Sequence, residues 1–205
     1  ISIGLVGSEM CIRDRICSSH YTANLIDKLK ITDTKRIVIP PTYSLEKLSK
    51  EKKNSKKNSI VSLLTICRLE KRKGILPVLR CLSNLNKSKL LKPFRWNICG
   101  EGLDHKEIKE NIRKLNLSDQ VFLIGKINNN SKQKFLERSD VFVMPSYKVN
   151  DSVEGFGISY VEAAAYRIPS IAGLDGGVTD AVIDSKTGWC VDCLLYTSDA
   201  ADDRV

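Results

Sequence analysis

From residue 59 onward, short runs rich in apolar residues alternate with stretches whose apolar residues recur at helical spacing. The runs 59–66, 94–100, 120–125, 140–146, 169–173 and 188–192 have the length of buried strands, with turn residues or charges at their ends. Between them, 74–85, 103–117, 131–139, 156–166 and 178–184 read as helices. Pro77 is tolerated in the first turn of its helix, Ser131 is expected to cap the third, and Leu103, Ile108, Ile112 and Leu115 are expected to share one face of the second. Strands separated by single helices are βαβ units. This predicts an α/β fold: a Rossmann-like parallel sheet with helices on both faces. In such sheets ligands bind beyond the carboxyl ends of the strands, so functional side chains are expected just after them.

The chain before residue 59 reads differently. Residues 18–30 place Tyr21, Leu25, Ile26 and Leu29 at helical spacing behind Ser18 or Ser19 as N-cap, and 35–41 read as a short strand stopped by Pro40 and Pro41. Residues 43–58 are rich in Lys and nearly free of apolar residues, which is the pattern of a solvated linker. Residues 1–15 and 193–205 resemble translated sequencing-adapter read-through rather than the Lys-, Asn- and Ile-rich middle, and are expected to be foreign to the fold. On that reading residues 16–192 are a fragment, with 59–192 as its main domain.

Composition narrows the function classes. Among 205 residues, 42% are apolar and 28% charged, the balance of a globular protein, and no apolar run approaches the roughly 20 residues of a membrane-spanning helix. The formal charge of +9 fits docking on an anionic membrane face, although a Lys-rich composition bias explains it equally. Nucleic acid is not an expected partner: aromatics are 6%, and Tyr43 alone accompanies the cations of 43–58. Cys67, Cys81 and Cys99 lie in or beside apolar runs, as buried thiols do in a reducing cytoplasm. Cys190 and Cys193 form a C-x-x-C pair without a second pair or a His cluster, so no metal site is expected.

Three strand ends carry chemistry. After the first main-domain strand come Arg68 and, five residues on, Lys73 before Gly74 and a helix. A guanidinium fork, an ammonium and free helix N–H groups suit a diphosphate, while a solvated basic turn is the plain alternative. After the second strand stands Gly100-Glu101-Gly102, which lacks the third glycine of a dinucleotide fingerprint because position 105 is His105. It reads as a tight turn that also lets a nucleotide approach the backbone. The strongest signal follows the fourth strand, where Glu154-Gly155-Phe156-Gly157-Ile158 leads into a helix carrying Glu162. The glycines leave N–H groups bare for a phosphate or sugar. Glu162, flanked by Val161 and Ala163, needs a partner that paired ribose hydroxyls can supply.

These elements, together with 139–146, Pro169-Ser170-Ile171-Ala172 and Gly176-Gly177 in the same order, closely resemble the C-terminal, nucleotide-sugar-binding half of the retaining GT-B glycosyltransferases of family 4, the glycosyl transferases group 1. Residues 16–42 likewise resemble the last helix and strand of that family's N-terminal, acceptor-side domain. The resemblance implies that Arg68 and Lys73 hold the donor diphosphate, and that Glu162 binds the ribose. Glu154 and the amides of Gly155, Phe156, Gly157 and Ile158 would address the sugar and phosphate. Gly100 and the backbone around Ile127 would face the nucleotide. It further implies metal-independent hexosyl transfer, mannosyl or glucosyl in type, with retention, from a GDP- or UDP-hexose to a lipid or polysaccharide acceptor, in the cytoplasm. No D-x-D motif occurs between residues 16 and 192. One departure stands out: Arg167 occupies a place that is usually glycine in the family. A GT-B sugar-nucleotide epimerase and an NAD(P)-binding oxidoreductase domain are the alternative readings.

Overall fold

The computed structural model describes residues 14–28, 35–43 and 60–193. Most of the 43–58 linker and nearly all of the two terminal segments set apart above lie outside the described residues. Six strands form one parallel sheet: β3 (Val61–Ile66), β4 (Phe94–Cys99), β5 (Val121–Gly125), β6 (Val141–Met144), β7 (Ser170–Gly173) and β8 (Gly188–Val191). The two remaining strands, β1 (Asp14–Cys17) and β2 (Lys35–Val38), pair with each other in parallel. Asp14 and Arg15, assigned by sequence to the foreign start, thus lie in a paired strand. The helices are α1 (His20–Lys28), α2 (Ile75–Lys87), α3 (His105–Lys114), α4 (Asn129–Arg138), α5 (Ile158–Ala165) and α6 (Val178–Ala181).

Alternation along the strands explains how both faces are covered. Leu63, Trp96, Ile98 and Val143 point to one side and pack with Ile75, Leu79 and Leu82 of α2 and Ile108 and Ile112 of α3. Leu64, Cys99, Phe142 and Met144 point to the other, against Leu136 of α4, Tyr160 and Ala163 of α5, and Val178 of α6. The α/β sheet with helices on both faces is therefore observed. Within this interior, buried Thr65 ties three strands together. Trp96 donates its indole N–H to Thr65 Oγ1 at 2.9 Å, and that hydroxyl donates to the Val143 carbonyl.

Local expectations fared unevenly. Ser131 does not cap α4: its own N–H donates to Asn128 Oδ1 at 2.8 Å, so the cap lies three residues earlier. Leu103 precedes α3 and is 96% exposed, whereas Ile108 and Ile112 are buried. On α1 the buried residue is Ala23, and Leu25 is 41% exposed. Ser19 is the N-cap, its Oγ accepting from the Thr22 N–H at 3.1 Å.

Arg167 keeps the turn that glycine usually makes. It lies at φ +60°, with its N–H on the Ala164 carbonyl and the Ile168 N–H on that of Ala163. This is the paired closure of a helix end, normally built on a left-handed glycine, here with a side chain tolerated at a cost. Arg167→Gly is expected to raise stability by about 0.5–1 kcal/mol, the left-handed penalty less the added freedom of glycine in the unfolded chain. Denaturant titration checks this through the midpoint at unchanged slope.

Residues 14–28 and 35–43 touch the main domain. The Asp180 carboxylate accepts from the His20 backbone N–H at 2.5 Å and lies 3.1 Å from its Nδ1, capping α1 from outside. The ring of Tyr43 lies 6.4 Å from that of Tyr166, tilted by 57°. A Cβ on Gly177 would stand 2.0 Å from the Gly155 carbonyl and 2.6 Å from Ser19 Oγ. The glycine lets α1 and the loop before α5 share one close contact.

Candidate active site at the switch point of the sheet

The strand order is β5-β4-β3-β6-β7-β8, so the chain leaves the centre in one direction after β3 and returns beside it at β6. In parallel α/β sheets such a reversal of strand order is where loops from adjacent strands part and ligands bind. The loop after β3 carries Arg68 and Lys73, and the loop after β6 carries Glu154 to Gly157.

Backbone contacts lock the two loops together. Tyr147 donates its N–H to the Arg72 carbonyl at 2.9 Å, and a Cβ on Gly74 would meet the Pro145 carbonyl at 2.2 Å. Gly74, at φ +75°, ends a single 3-10 turn, Lys71–Lys73, and starts α2. That turn aims Lys73 inward, where it is only 7% exposed.

Lys73 Nζ donates to Glu154 Oε2, and Arg72 Nη1 donates to the same oxygen at 3.0 Å. Arg72 also holds Glu70 through Nε at 3.1 Å, and Arg68 reaches Glu70 at 3.0 Å. Three cations and two carboxylates thus alternate across the mouth, leaving one positive charge in excess. Burial is graded along the chain of pairs: the side chain of Lys73 is 9% exposed, that of Glu154 13% and that of Arg68 75%. Beneath them the Cys67 thiol is pushed up to about 12, because burial outweighs the pull of nearby Lys73. It is therefore a neutral, unreactive thiol at neutral pH.

The α5 N-terminus closes the far side. Gly157 is its N-cap at φ +91°, where a Cβ would lie 2.5 Å from the Tyr160 ring. Nothing stands within 4 Å of a Cβ on Gly155, so open space lies on that side of this one residue, while Phe156 and Gly157 are buried. Tyr160 anchors the turn from below: fully buried, its hydroxyl donates to the Met144 carbonyl and lies 3.2 Å from Ser146 Oγ. Burial also drives its ionisation upward. Gly176, at φ +80°, fits against the Glu154 carbonyl, and the Gly177 N–H donates to that carbonyl at 2.8 Å. The Glu154 carbonyl is therefore held by the 176–177 turn.

The structure brings together Lys73, Glu154 and the 155–158 turn, with Arg68 at the outer edge. Glu162 lies one turn further into α5, and Lys132 Nζ donates to its Oε1 at 2.5 Å. Gly100 follows β4 at φ +138°, and Ile127 follows β5, half-buried against the core. The glycines of 100–102 have a structural reason beyond ligand access. A Cβ on Gly100 would stand 1.8 Å from the Cys67 carbonyl, and one on Gly102 2.2 Å from that of Leu69. Arg72 was missed by sequence reasoning, because its partner lies 82 residues away. Lys132, 30 residues from Glu162, was missed for the same reason. Among the described residues, no three His, Cys, Asp or Glu side chains cluster as metal ligands.

Known proteins share this architecture. The chain superimposes on the lipopolysaccharide outer core galactosyltransferase WaaB with a TM-score of 0.73 at 16% identity, covering 92% of this chain and 51% of that one. Anabaena Alr3699/HepE, solved with UDP and glucose, gives 0.71 at 17% identity, covering 91% and 53%. In sequence, 56 residues are 46% identical to the GDP-mannose-dependent alpha-(1-6)-phosphatidylinositol monomannoside mannosyltransferase of Mycolicibacterium smegmatis, 26% of this chain and 15% of that protein. The matched region spans about a third of the length of other curated relatives, 32% and 29% in two of them. The family profile "Glycosyl transferases group 1" matches residues 46–203, well over half of the sequence. With its sheet, switch-point loops and ordered motifs accounted for, the chain belongs to the glycosyl transferases group 1 family.

Proposed function

We propose that this chain is the donor-binding part of a retaining, metal-independent hexosyltransferase of family 4. Its donor is a nucleoside-diphosphate hexose, and its acceptor a lipid or polysaccharide engaged through an N-terminal domain of which residues 16–42 are the end. Residues 59–192 bind the nucleotide sugar. The observation that carries this reading is the meeting of Lys73, Arg72 and Glu154 beside the bare α5 N-terminus.

The chemistry follows from charge. Sugar transfer expels a nucleoside diphosphate while positive charge grows at the anomeric carbon. Lys73 and Arg68, with the N–H groups of 155–158, stabilise the leaving diphosphate by fixed charges and dipoles. Glu154 lies beside them, where a carboxylate faces the donor sugar. Glu162 accepts from the ribose hydroxyls. Gly100 and Ile127 line the path towards the base, and either GDP or UDP satisfies these contacts. A cytoplasmic setting with peripheral contact at an anionic membrane fits the +9 charge.

Thermal unfolding with UDP, GDP, ADP and NAD tests the reading. UDP or GDP is expected to raise the midpoint and NAD to leave it unchanged; a rise with NAD alone would favour the oxidoreductase alternative. Glu154→Gln gives a second check. Its carboxylate holds the cations that a phosphate must capture, so neutralising it is expected to tighten UDP or GDP binding about fivefold while abolishing transfer in the full-length enzyme. Titration calorimetry and donor turnover read the two effects separately.

A further inference from the structure

Lys132 sits in the first turn of α4, whose start is fixed by Asn128: the Ser131 N–H donates to Asn128 Oδ1 at 2.8 Å and the Lys132 N–H to the Asn128 carbonyl at 2.9 Å. Its ammonium reaches across to Glu162 of α5, and both side chains are largely covered, 24% and 14% exposed. Both helices pack on the same face of the sheet, through Leu136 on one and Tyr160 and Ala163 on the other. The pair therefore spans two elements of a common core rather than an exposed rim, where such pairs contribute little. Among the described residues, Lys132 is the one hydrogen-bond partner of Glu162, and it engages Oε1 only. A carboxylate accepts on both oxygens, so Oε2 keeps its capacity.

We propose that Lys132 is the positioning residue for Glu162. It holds one oxygen, sets the plane of the carboxylate and presents the other oxygen to a ligand hydroxyl. Because α4 begins just after Ile127, the same lysine ties the segment assigned to the base to the helix assigned to the ribose. This inference rests on the reading of Glu162 as the ribose acceptor. It adds that the hold on the sugar of the nucleotide depends on a side chain in another element.

The test compares binding of UDP and GDP with that of their 2′,3′-dideoxy forms in the wild type, Lys132→Met, Lys132→Arg and Glu162→Gln. Lys132→Met is expected to weaken the hydroxyl-bearing nucleotide about tenfold, the loss of one oriented charge-assisted hydrogen bond, and to leave the dideoxy form unchanged. Lys132→Arg is expected to keep most of the discrimination, since it restores a cation to the same carboxylate. Equal weakening of both forms by Lys132→Met would make the lysine a general structural or phosphate-steering cation and overturn the proposal, as would an unchanged ratio. Should Lys132→Met fail to fold, Lys132→Gln takes its place: selective weakening of the hydroxyl-bearing nucleotide would support the proposal, and an unchanged ratio would overturn it. Glu162→Gln separates the two levels. If it leaves the ratio untouched, the ribose reading itself fails; if it lowers the ratio while Lys132→Met does not, only the positioning role fails.

Discussion

Lys73→Met is expected to weaken nucleoside-diphosphate binding about thirtyfold, the order expected for one desolvated charge-assisted contact. Burial decides the size of the effect. The Lys73 side chain is 9% exposed and sits between the β3 and β6 loops, so its charge acts through little solvent. Arg68 is 75% exposed and already shared with Glu70. Arg68→Met is therefore expected to cost only about fivefold, and that cost should shrink with added salt. Calorimetric titration of both variants at two ionic strengths checks the ranking. A larger loss for Arg68 than for Lys73 would place the phosphate on the outer rim instead of at the switch point. The fold should survive Lys73→Met, because Arg72 remains on Glu154 at 3.0 Å.

Gly100→Ala is expected to destabilise the domain by about 3 kcal/mol or more, because the clash is with backbone and the φ is forbidden to an L side chain. The added Cβ would fall 1.8 Å from the Cys67 carbonyl, at φ +138°. That carbonyl belongs to the segment in which the Cys67 N–H donates to the Cys99 carbonyl at 3.1 Å and the Leu69 N–H to that of Glu101 at 2.9 Å. Relief of the clash would push residues 67–69 away from the extension of β4 and carry the start of the cationic loop with them. Loss of stability and loss of nucleotide binding should therefore appear together. Gly155→Ala is the control: its Cβ meets nothing within 4 Å, so the thermal midpoint should hardly move. A Gly100→Ala variant as stable as the wild type would contradict the packing account of this glycine.

The parts of the fold that were legible in the sequence share one property: their cause is local. Val141–Met144 is almost wholly buried and shows as a continuous apolar run, whereas Phe94–Cys99 shows as apolar positions alternating with Arg95 and Asn97, the half-covered pattern of a strand. Helix ends were less legible. Asn128 and Ser131 are both able caps, and the choice between them depends on how α4 meets the sheet. Leu103 matched the helical period but falls before the first turn of α3, so the period alone misplaced it. At the site, Lys73, Glu154 and the 155–158 turn were readable because they stand at strand ends beside glycines. Arg72 and Lys132 were not, since each is defined by a carboxylate that only the folded chain brings near. The spacing of Gly100 and Gly102 was visible, yet its reason was not: the backbone they admit is that of residues 67–69.

The proposed donor site centres on a diphosphate held at the β3–β6 switch point. Titrating the chain with UDP and GDP, and with UMP and GMP, examines that claim most directly. Either diphosphate is expected to bind at least about tenfold tighter than its monophosphate, since in the proposed function the second phosphate is the one assigned to Lys73 and the α5 N-terminus. Equal affinity for mono- and diphosphate, or no binding of either diphosphate by the folded chain, would contradict it.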